Sequence, residues 1–193
     1  MKSKIIVLSG VFFGLFVGWY IFPFVLYTRI EQPLQFSHRT HTGEKGGMAC
    51  EDCHFTDDSG RFQGIPTIAK CAECHASPLG DSESEKTLVE MYVMPNNEIQ
   101  WLVYSRQPDN AYFSHAPHVT LGKVQCEECH GPHGSSDILK TYEENRISGY
   151  SRDIWGASIS GISSQPWEGM KMDRCVRCHA EKGRREGCIT CHK

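Results

Sequence analysis

The 193-residue sequence has no isolated cysteine, because all ten cysteines fall into pairs of identical spacing. A disulfide framework would show varied spacings between its cysteines, so this regularity argues against one. The sequence also has no basic patch with interleaved aromatic residues, and its formal net charge is −3. It therefore does not point to nucleic-acid binding, and we interpret its excess of acidic residues as a solvated surface.

Apolar residues are scarce outside one N-terminal run, although they make up 39% of the whole chain. The remainder is rich in Gly, Ser, Glu and Lys, which is too little apolar material to bury a conventional core of that size. At 193 residues the chain has room for one or two small domains. We therefore expect large prosthetic groups to supply part of the interior.

Each of the five Cys-x-x-Cys pairs is followed directly by a histidine. The motifs consist of Cys50, Cys53 and His54; Cys71, Cys74 and His75; Cys126, Cys129 and His130; Cys175, Cys178 and His179; and Cys188, Cys191 and His192. Two thiols at this spacing can each form a thioether with one haem vinyl group, and the adjacent histidine then becomes the proximal iron ligand. Zinc, iron–sulfur and redox-disulfide sites also use Cys-x-x-Cys, but they do not require a histidine after every pair. The pattern therefore predicts five covalent c-type haems.

Five further histidines are candidate distal ligands: His38, His41, His115, His118 and His133. Their number permits, but does not require, bis-histidine ligation of all five haems. Four of them lie in two copies of a Phe-Ser-His-x-x-His repeat, ahead of the first and third motifs, and this repetition favours ligation over a surface location. His133 lies outside the repeats, and Met170 and Met172 are its rivals as an iron ligand.

The N-terminal run from Ile5 to Tyr27 is uncharged and apolar over 23 residues, which is enough to cross about 30 Å of hydrocarbon as a helix. Lys2 and Lys4 precede it, so the positive-inside rule places the N-terminus in the cytoplasm and the residues after Arg29 in the periplasm. A cleaved signal peptide would have a shorter apolar core and a small-x-small cleavage site, which this run lacks. We predict a retained, single-pass anchor in the inner membrane.

Three glycines in this run, Gly10, Gly14 and Gly18, are spaced four residues apart and share one face of the predicted helix. Small residues at this spacing let a second membrane helix approach closely. The alternative is ordinary glycine usage in a membrane span. We predict docking against a membrane-protein partner.

The motifs divide the rest of the chain into two haem-bearing modules. We predict an N-terminal transmembrane anchor over residues 1–30, a two-haem module over 31–78, a haem-free connector over 79–112 and a three-haem module over 113–193. Within the connector, the sequence predicts a short helix over Ser84–Val93, a turn over Pro95–Asn97 and a short strand over Trp101–Tyr104. A second cysteine-free stretch, residues 134–174, is predicted to be an irregular wrapping loop.

The motifs and the two repeats resemble the class III multihaem cytochromes, small proteins of anaerobic electron transfer. The resemblance implies a fold with little regular secondary structure, mainly short helices and loops around the haems, here preceded by a single transmembrane helix. In that family the two histidines of the repeat are distal ligands of two different haems. The resemblance implies that His38 completes the haem at Cys50/Cys53, His41 that at Cys71/Cys74, His115 that at Cys126/Cys129 and His118 that at Cys175/Cys178.

The sequence departs from that family just before Cys175. The family has a further distal histidine there, whereas this chain has Met170-Lys171-Met172-Asp173. The sixth ligand of the haem at Cys188/Cys191 is therefore open between His133, Met170 and Met172.

The arrangement of the whole chain, with an anchor, two modules and the junction Gln107–His115, resembles the cytochrome subunit of the menaquinone reductase (Qrc) and alternative complex III family. The resemblance implies three partners, namely a molybdopterin-enzyme-like subunit, an iron–sulfur subunit and a polytopic quinone-binding membrane subunit. In the Qrc branch a soluble tetrahaem cytochrome c donates electrons that reach menaquinone, whereas the other branch oxidises quinol. The class III character and the short chain with five motifs favour menaquinone reduction. An additional haem without its own Cys pair is compatible with this family.

Three functions fit these features. We favour an electron-carrier subunit with no substrate chemistry, because a haem with both axial positions filled by protein has no open coordination site. The alternative is a freestanding, membrane-anchored quinol dehydrogenase cytochrome that feeds a periplasmic reductase, although such proteins usually have four haems and lack the paired repeat. A catalytic multihaem reductase would need one open haem, and the unassigned ligand at the Cys188/Cys191 haem is the feature that supports it. The sequence leaves the direction of electron flow and the haem potentials open.

Overall fold

The N-terminal apolar run forms one continuous helix in the computed structural model, which describes residues 2–58, 61–152, 154, 168–184 and 187–192. The helix consists of α1 (Lys2–Phe16), a π-helical turn (Val17–Ile21) and α2 (Phe22–Leu26). Pro23 has no backbone N–H to bond the carbonyl four residues earlier, and the wider π-helical turn lies where that bond is missing. As predicted, the helix is long and apolar enough to cross a membrane, from Ser3 to Leu26.

The glycine face of this helix is open. No heavy atom other than those of the helix and the chain neighbours lies within 4 Å of where a Cβ would stand at Gly10, Gly14 or Gly18. The described part of the chain therefore leaves these positions free for another helix, which stays a prediction.

A two-stranded antiparallel sheet joins the end of this helix to the rest of the chain. β1 (Tyr27–Ile30) follows α2 without a break and pairs with β2 (Tyr142–Asn145). Glu143 on β2 forms ion pairs with Arg29 at 3.1 Å and with Arg152 at 3.0 Å. The anchor is therefore tied directly to the haem-bearing part of the chain.

The prediction of an irregular loop over residues 134–174 is wrong at β2, while residues 153 and 155–167 of that range lie outside the described residues. The segment Tyr-Glu-Glu-Asn shows no alternation of apolar and polar residues, so the sequence gives no strand signal there. It becomes a strand because β1 offers it an unpaired edge. Asn145 then closes the following turn, since its side-chain oxygen accepts hydrogen bonds from the backbone N–H groups of Ile147 and Ser148 at 3.0 Å.

Short helices form most of the remaining regular structure of the described residues. In chain order these are α3 (His38–Thr42), α4 (Cys50–Cys53), α5 (Ile68–Ala72), α6 (Glu83–Leu88), α7 (Cys126–His130), α8 (Met172–Glu181) and α9 (Cys188–Cys191). They are supplemented by π-helical turns at Val89–Val93 and Ala116–Leu121 and by 3-10 turns at His133–Ser135 and Glu168–Met170. This architecture of short helices and loops confirms the predicted fold class.

The connector packs on the first module. Its helix α6 is capped by Ser82, whose hydroxyl accepts the backbone N–H of Glu85 at 3.1 Å. Together with the following π-helical turn it confirms the helix predicted over Ser84–Val93, and the turn after it is also present. Ile99 of the connector lies in one small core with Leu34 and Ile68 of the first module.

The strand predicted over Trp101–Tyr104 is wrong. Leu102 instead exchanges two hydrogen bonds with the side-chain amide of Gln32, which accepts its N–H at 3.0 Å and donates to its C=O at 2.9 Å. Gln32 is buried, at 7% exposure, so this amide takes the place of a neighbouring strand.

Candidate haem sites

Each haem motif places its two cysteines and its histidine around one short helical turn. The backbone N–H of the motif histidine bonds the carbonyl of the first cysteine at 2.8 Å for His54 and at 2.9 Å for both His75 and His192. All ten cysteines are free thiols, available for thioether bonds. Within the described residues, no three His, Cys, Asp or Glu side chains converge as a metal site of the zinc type would require. The free thiols of the motifs therefore fit covalent haem attachment.

Three motif histidines lie opposite the histidines that the resemblance assigns to them. The ring centroids are 6.1 Å apart for His41 and His75, 6.3 Å for His115 and His130, and 5.9 Å for His118 and His179. Two imidazoles bonded to opposite sides of one metal ion have centroids roughly 6 Å apart, because each metal–nitrogen bond is roughly 2 Å long. These three pairs therefore fit a haem iron between their rings.

The fourth pair, His38 with His54, is also close in space. Burial and, to a smaller extent, the nearby charges of His54, His133 and His41 together lower the pKa of His38 to about 4. Burial likewise lowers the pKa of His130 to about 4 and shifts the pKa of His115 downward. These imidazoles are therefore neutral at pH 7, as iron ligands must be.

The serine of each repeat orients the imidazole ring of the second histidine through a hydrogen bond. His41 Nδ1–H donates to the carbonyl of Ser37 at 2.7 Å, and His118 Nδ1–H donates to the carbonyl of Ser114 at 2.8 Å. A carbonyl can only accept, so the proton is on Nδ1 and the lone pair is on Nε2. His54 has the same arrangement with the carbonyl of Gly64 at 2.7 Å. In all three, Nε2 is left to bind iron.

His75 differs from these histidines because its Nδ1 partner is a carboxylate. Glu85 Oε1 accepts that hydrogen bond at 2.9 Å. The backbone N–H of Leu79 holds the pKa of Glu85 below its usual range, and His75 and the N–H of Gly80 add to this effect. Glu85 is therefore ionised at neutral pH.

Aromatic rings lie between the histidines of successive sites. Phe36 contacts His38 and His41, with centroids 4.9 and 4.2 Å apart. Phe113 contacts His115 and His118 in the same way, at 4.9 and 4.7 Å. Each phenylalanine is the first residue of a Phe-Ser-His-x-x-His repeat. Each repeat therefore provides one aromatic ring, which we call a spacer, that contacts both of its candidate distal histidines.

Phe62 provides a third spacer that sequence reasoning missed. Its ring stacks on His115 with centroids 4.0 Å apart and faces His54 at 6.5 Å. It therefore lies between His54 of the first motif and His115 of the second repeat. No repeat surrounds Phe62, and only the fold brings it to these histidines.

The cysteines give the spatial order of the motifs. Burial raises the pKa of five thiols, and in each case a cysteine of another motif adds to that rise. These neighbours are Cys74 for Cys53, Cys53 for Cys71, Cys50 for Cys126, Cys178 for Cys129, and both Cys129 and Cys191 for Cys175. The motifs therefore form a single file in the order second, first, third, fourth, fifth.

The fifth motif is held by the segment that precedes the second repeat. Tyr112 N–H donates to the carbonyl of Cys191 at 2.6 Å, and Ala111 forms a bridge with His192.

The candidate sixth ligands of the haem at the fifth motif lie in other parts of the fold. His133 stacks on Tyr104, with centroids 6.3 Å apart, and its charge lowers the pKa values of both His38 and His130, so it lies near the first and third motifs.

The two methionines lie near the start of α8. Met172 begins this helix and is 67% exposed. Met170 ends the 3-10 turn beside α7, where a Cβ on Gly169 would stand 2.5 Å from the carbonyl oxygen of Cys129. The structure brings none of the three candidates into a described contact with His192, and their ligation stays a prediction.

Comparisons with known proteins show similarity to multihaem c-type cytochromes. Residues 25–101 match the model of the class III cytochrome C family. The chain is also 38% identical over 199 aligned residues to the "Menaquinone reductase, multiheme cytochrome c subunit" of Nitratidesulfovibrio vulgaris (strain Hildenborough). That alignment covers 95% of this chain and 87% of the relative.

Proposed function

Because this chain belongs to the family of the menaquinone reductase multihaem cytochrome c subunit, we propose that it carries electrons inside a membrane quinone oxidoreductase complex. Its donor is a soluble tetrahaem cytochrome c, and its acceptors are the other redox subunits, which reduce menaquinone. Those subunits are a molybdopterin-enzyme-like protein, an iron–sulfur protein and a polytopic quinone-binding protein. The chain itself is an electron carrier and performs no substrate chemistry.

The observation that carries this proposal is the spacing of the facing histidines. Haem bound between two imidazoles supplies a one-electron couple without an open coordination site. His41 with His75, His115 with His130 and His118 with His179 have the ring separation that such binding requires. His38 completes the first site in the same scheme, and the ten motif cysteines attach five haems.

The single file of motifs supports one electron path with two ends. The Cys71/Cys74 motif lies at one end and the Cys188/Cys191 motif at the other. Close to the first end, residues 79–90 include Asp81, Glu83, Glu85 and Glu90 but a single lysine. Next to the other end, residues 172–184 have four basic and two acidic side chains. A donor with a basic docking face therefore suits the Cys71/Cys74 end.

The sheet at the end of the membrane helix supports a retained anchor. Arg146 N–H donates to the carbonyl of Leu26 at 2.9 Å, so the last turn of the helix is part of the folded chain. Lys2 and Lys4 keep the N-terminus in the cytoplasm, and the haem sites then lie in the periplasm at the inner membrane.

Purification in mild detergent tests the proposal. The chain should co-elute with the three partner subunits, as identified by mass spectrometry, and the purified complex should reduce a menaquinone analogue with electrons from a reduced tetrahaem cytochrome. A chain that elutes alone and oxidises quinol by itself would instead identify a freestanding quinol dehydrogenase.

A further inference from the structure

The carboxylate of Glu85 is the charged partner of a candidate iron ligand. It accepts the Nδ1 hydrogen of His75 at 2.9 Å, and the two side chains are 14% and 18% exposed, respectively. His41, His54 and His118 use backbone carbonyls for the same bond, and the Nδ1 of His38 contacts the hydroxyl of Ser136 at 3.3 Å. These are five histidines of the described part of the chain. Among them, His75 is the one whose Nδ1 hydrogen-bonds to a carboxylate.

Backbone groups hold this carboxylate in place. Glu85 Oε1 also accepts the N–H of Leu79 at 2.7 Å, and its Oε2 accepts the N–H of Gly80 at 3.0 Å. The loop approaches so closely that a Cβ on Gly80 would stand 3.3 Å from Oε2. The hydroxyl of Ser82 accepts the N–H of Glu85 and so fixes the first turn of α6. The carboxylate is thus aimed at His75 by a preformed loop and does not swing into solvent.

We propose that Glu85 is a positioning residue that lowers the midpoint potential of the haem held by the second motif. A carboxylate that accepts the Nδ1 proton orients the imidazole and makes it a more basic ligand. A more basic ligand stabilises ferric over ferrous iron, and hydrogen bonds around an axial ligand are one of the means by which proteins tune haem potentials. The inference rests on the proposed haem at Cys71/Cys74.

This contact creates a difference in midpoint potential between the two haems at one end of the file of motifs. The neighbouring first motif has His54, whose Nδ1 partner is the neutral carbonyl of Gly64. With other effects equal, the site of His75 therefore has the lower potential of the two. An electron that enters at this end moves towards the higher potential, which suits the donor-facing role proposed for it.

The test is a redox titration of the haem-loaded, full-length chain with Glu85→Gln. Glutamine keeps an oxygen that can accept the His75 hydrogen but removes the negative charge. Electron paramagnetic resonance distinguishes the low-spin ferric haems, so the potential of each can be followed. We expect the potential of one haem to rise while the other four stay unchanged and all five stay low-spin.

Two variants separate this effect from its alternatives. Glu83→Gln removes the same charge from an exposed position on α6 and should leave the potential of that haem unchanged. Glu90→Gln removes a charge from a second exposed position, in the π-helical turn after α6, and should also leave that potential in place. An equal rise in Glu83→Gln, or no rise in a Glu85→Gln chain that has five haems, overturns the proposal.

A failure of haem attachment is distinguishable from both results. If Glu85→Gln matures with fewer than five haems, Glu85→Asp is the variant that tests the proposal. Its carboxylate is on a shorter side chain and cannot form the hydrogen bonds of Glu85 with both His75 and Leu79. The potential of the same haem should then rise by a smaller amount, and an unchanged potential in a five-haem Glu85→Asp chain overturns the inference. If the wild-type chain itself has no haem at Cys71/Cys74, the proposed function fails as well.

Discussion

Phe62 stacks on His115 with ring centroids 4.0 Å apart, and this contact joins the two predicted haem modules. Residues 31–78 include Phe62, whereas His115 is the first predicted ligand of the three-haem module. The same phenylalanine faces His54 of the first motif at 6.5 Å. The modules are therefore joined at their histidines and not only through the connector.

Phe62→Leu should weaken this joint without removing haem. The change deletes an aromatic stacking contact, which is worth roughly 1 kcal/mol, so the free energy of unfolding should fall by about that amount. Denaturant titration of the haem-loaded protein measures it. Phe55→Leu is the matched control, because Phe55 is 42% exposed and the change should have little effect. Equal losses in the two variants would show that Phe62 has no special role.

His41→Met should alter the Cys71/Cys74 haem and leave the others as they are. His41 faces His75 across 6.1 Å, so a methionine sulfur would replace an imidazole as the sixth ligand. Thioether ligation raises the haem potential, and a sulfur-to-iron charge-transfer band should appear in the oxidised spectrum. His118→Met is the matched variant and should change the Cys175/Cys178 haem instead. An unchanged bis-histidine spectrum in either variant would remove that histidine from the ligand set.

The haem at Cys188/Cys191 should be distinguishable from the other four. His133 lies near the first and third motifs, whereas α8, which begins at Met172, carries the motif that adjoins the fifth. We therefore expect a methionine ligand, one haem that titrates above the rest, and a charge-transfer band that survives His133→Ala. If that band is absent from the wild-type chain and His133→Ala converts one haem to high spin, His133 is the ligand.

Gly14→Leu should loosen the complex with the membrane partner. The glycine face is open in the described chain, and a leucine there would keep a second helix at a distance. Co-purification of the partner subunits should fall while haem content stays at the wild-type level. Leu8→Ile, elsewhere on the same helix, is the control and should leave co-purification intact.

Local chemistry was predictable from the sequence because covalent haem attachment fixes both residue type and spacing. Cys-x-x-Cys-His and Phe-Ser-His-x-x-His are each shorter than two helical turns, so each motif can be recognised from residues that are neighbours in the sequence. The helix over Ser84–Val93 was predictable for the same reason, since its residues are neighbours in the sequence.

Features that depend on distant partners were not predictable. β2 forms because β1 lies beside it, and the two strands are more than a hundred residues apart. Trp101–Tyr104 has the composition of a strand, but buried Gln32 satisfies the backbone of Leu102 instead. Phe62 and Glu85 belong to no motif, and only the folded chain creates their contacts with His115 and His75.

Intact mass of the mature, purified chain tests the central claim most directly. Five thioether-bound haems would use all ten cysteines, so the mass should exceed that of the apo chain, anchor included, by five haem masses. Fewer than five attached haems, or a mass that corresponds to bound zinc, would contradict the account.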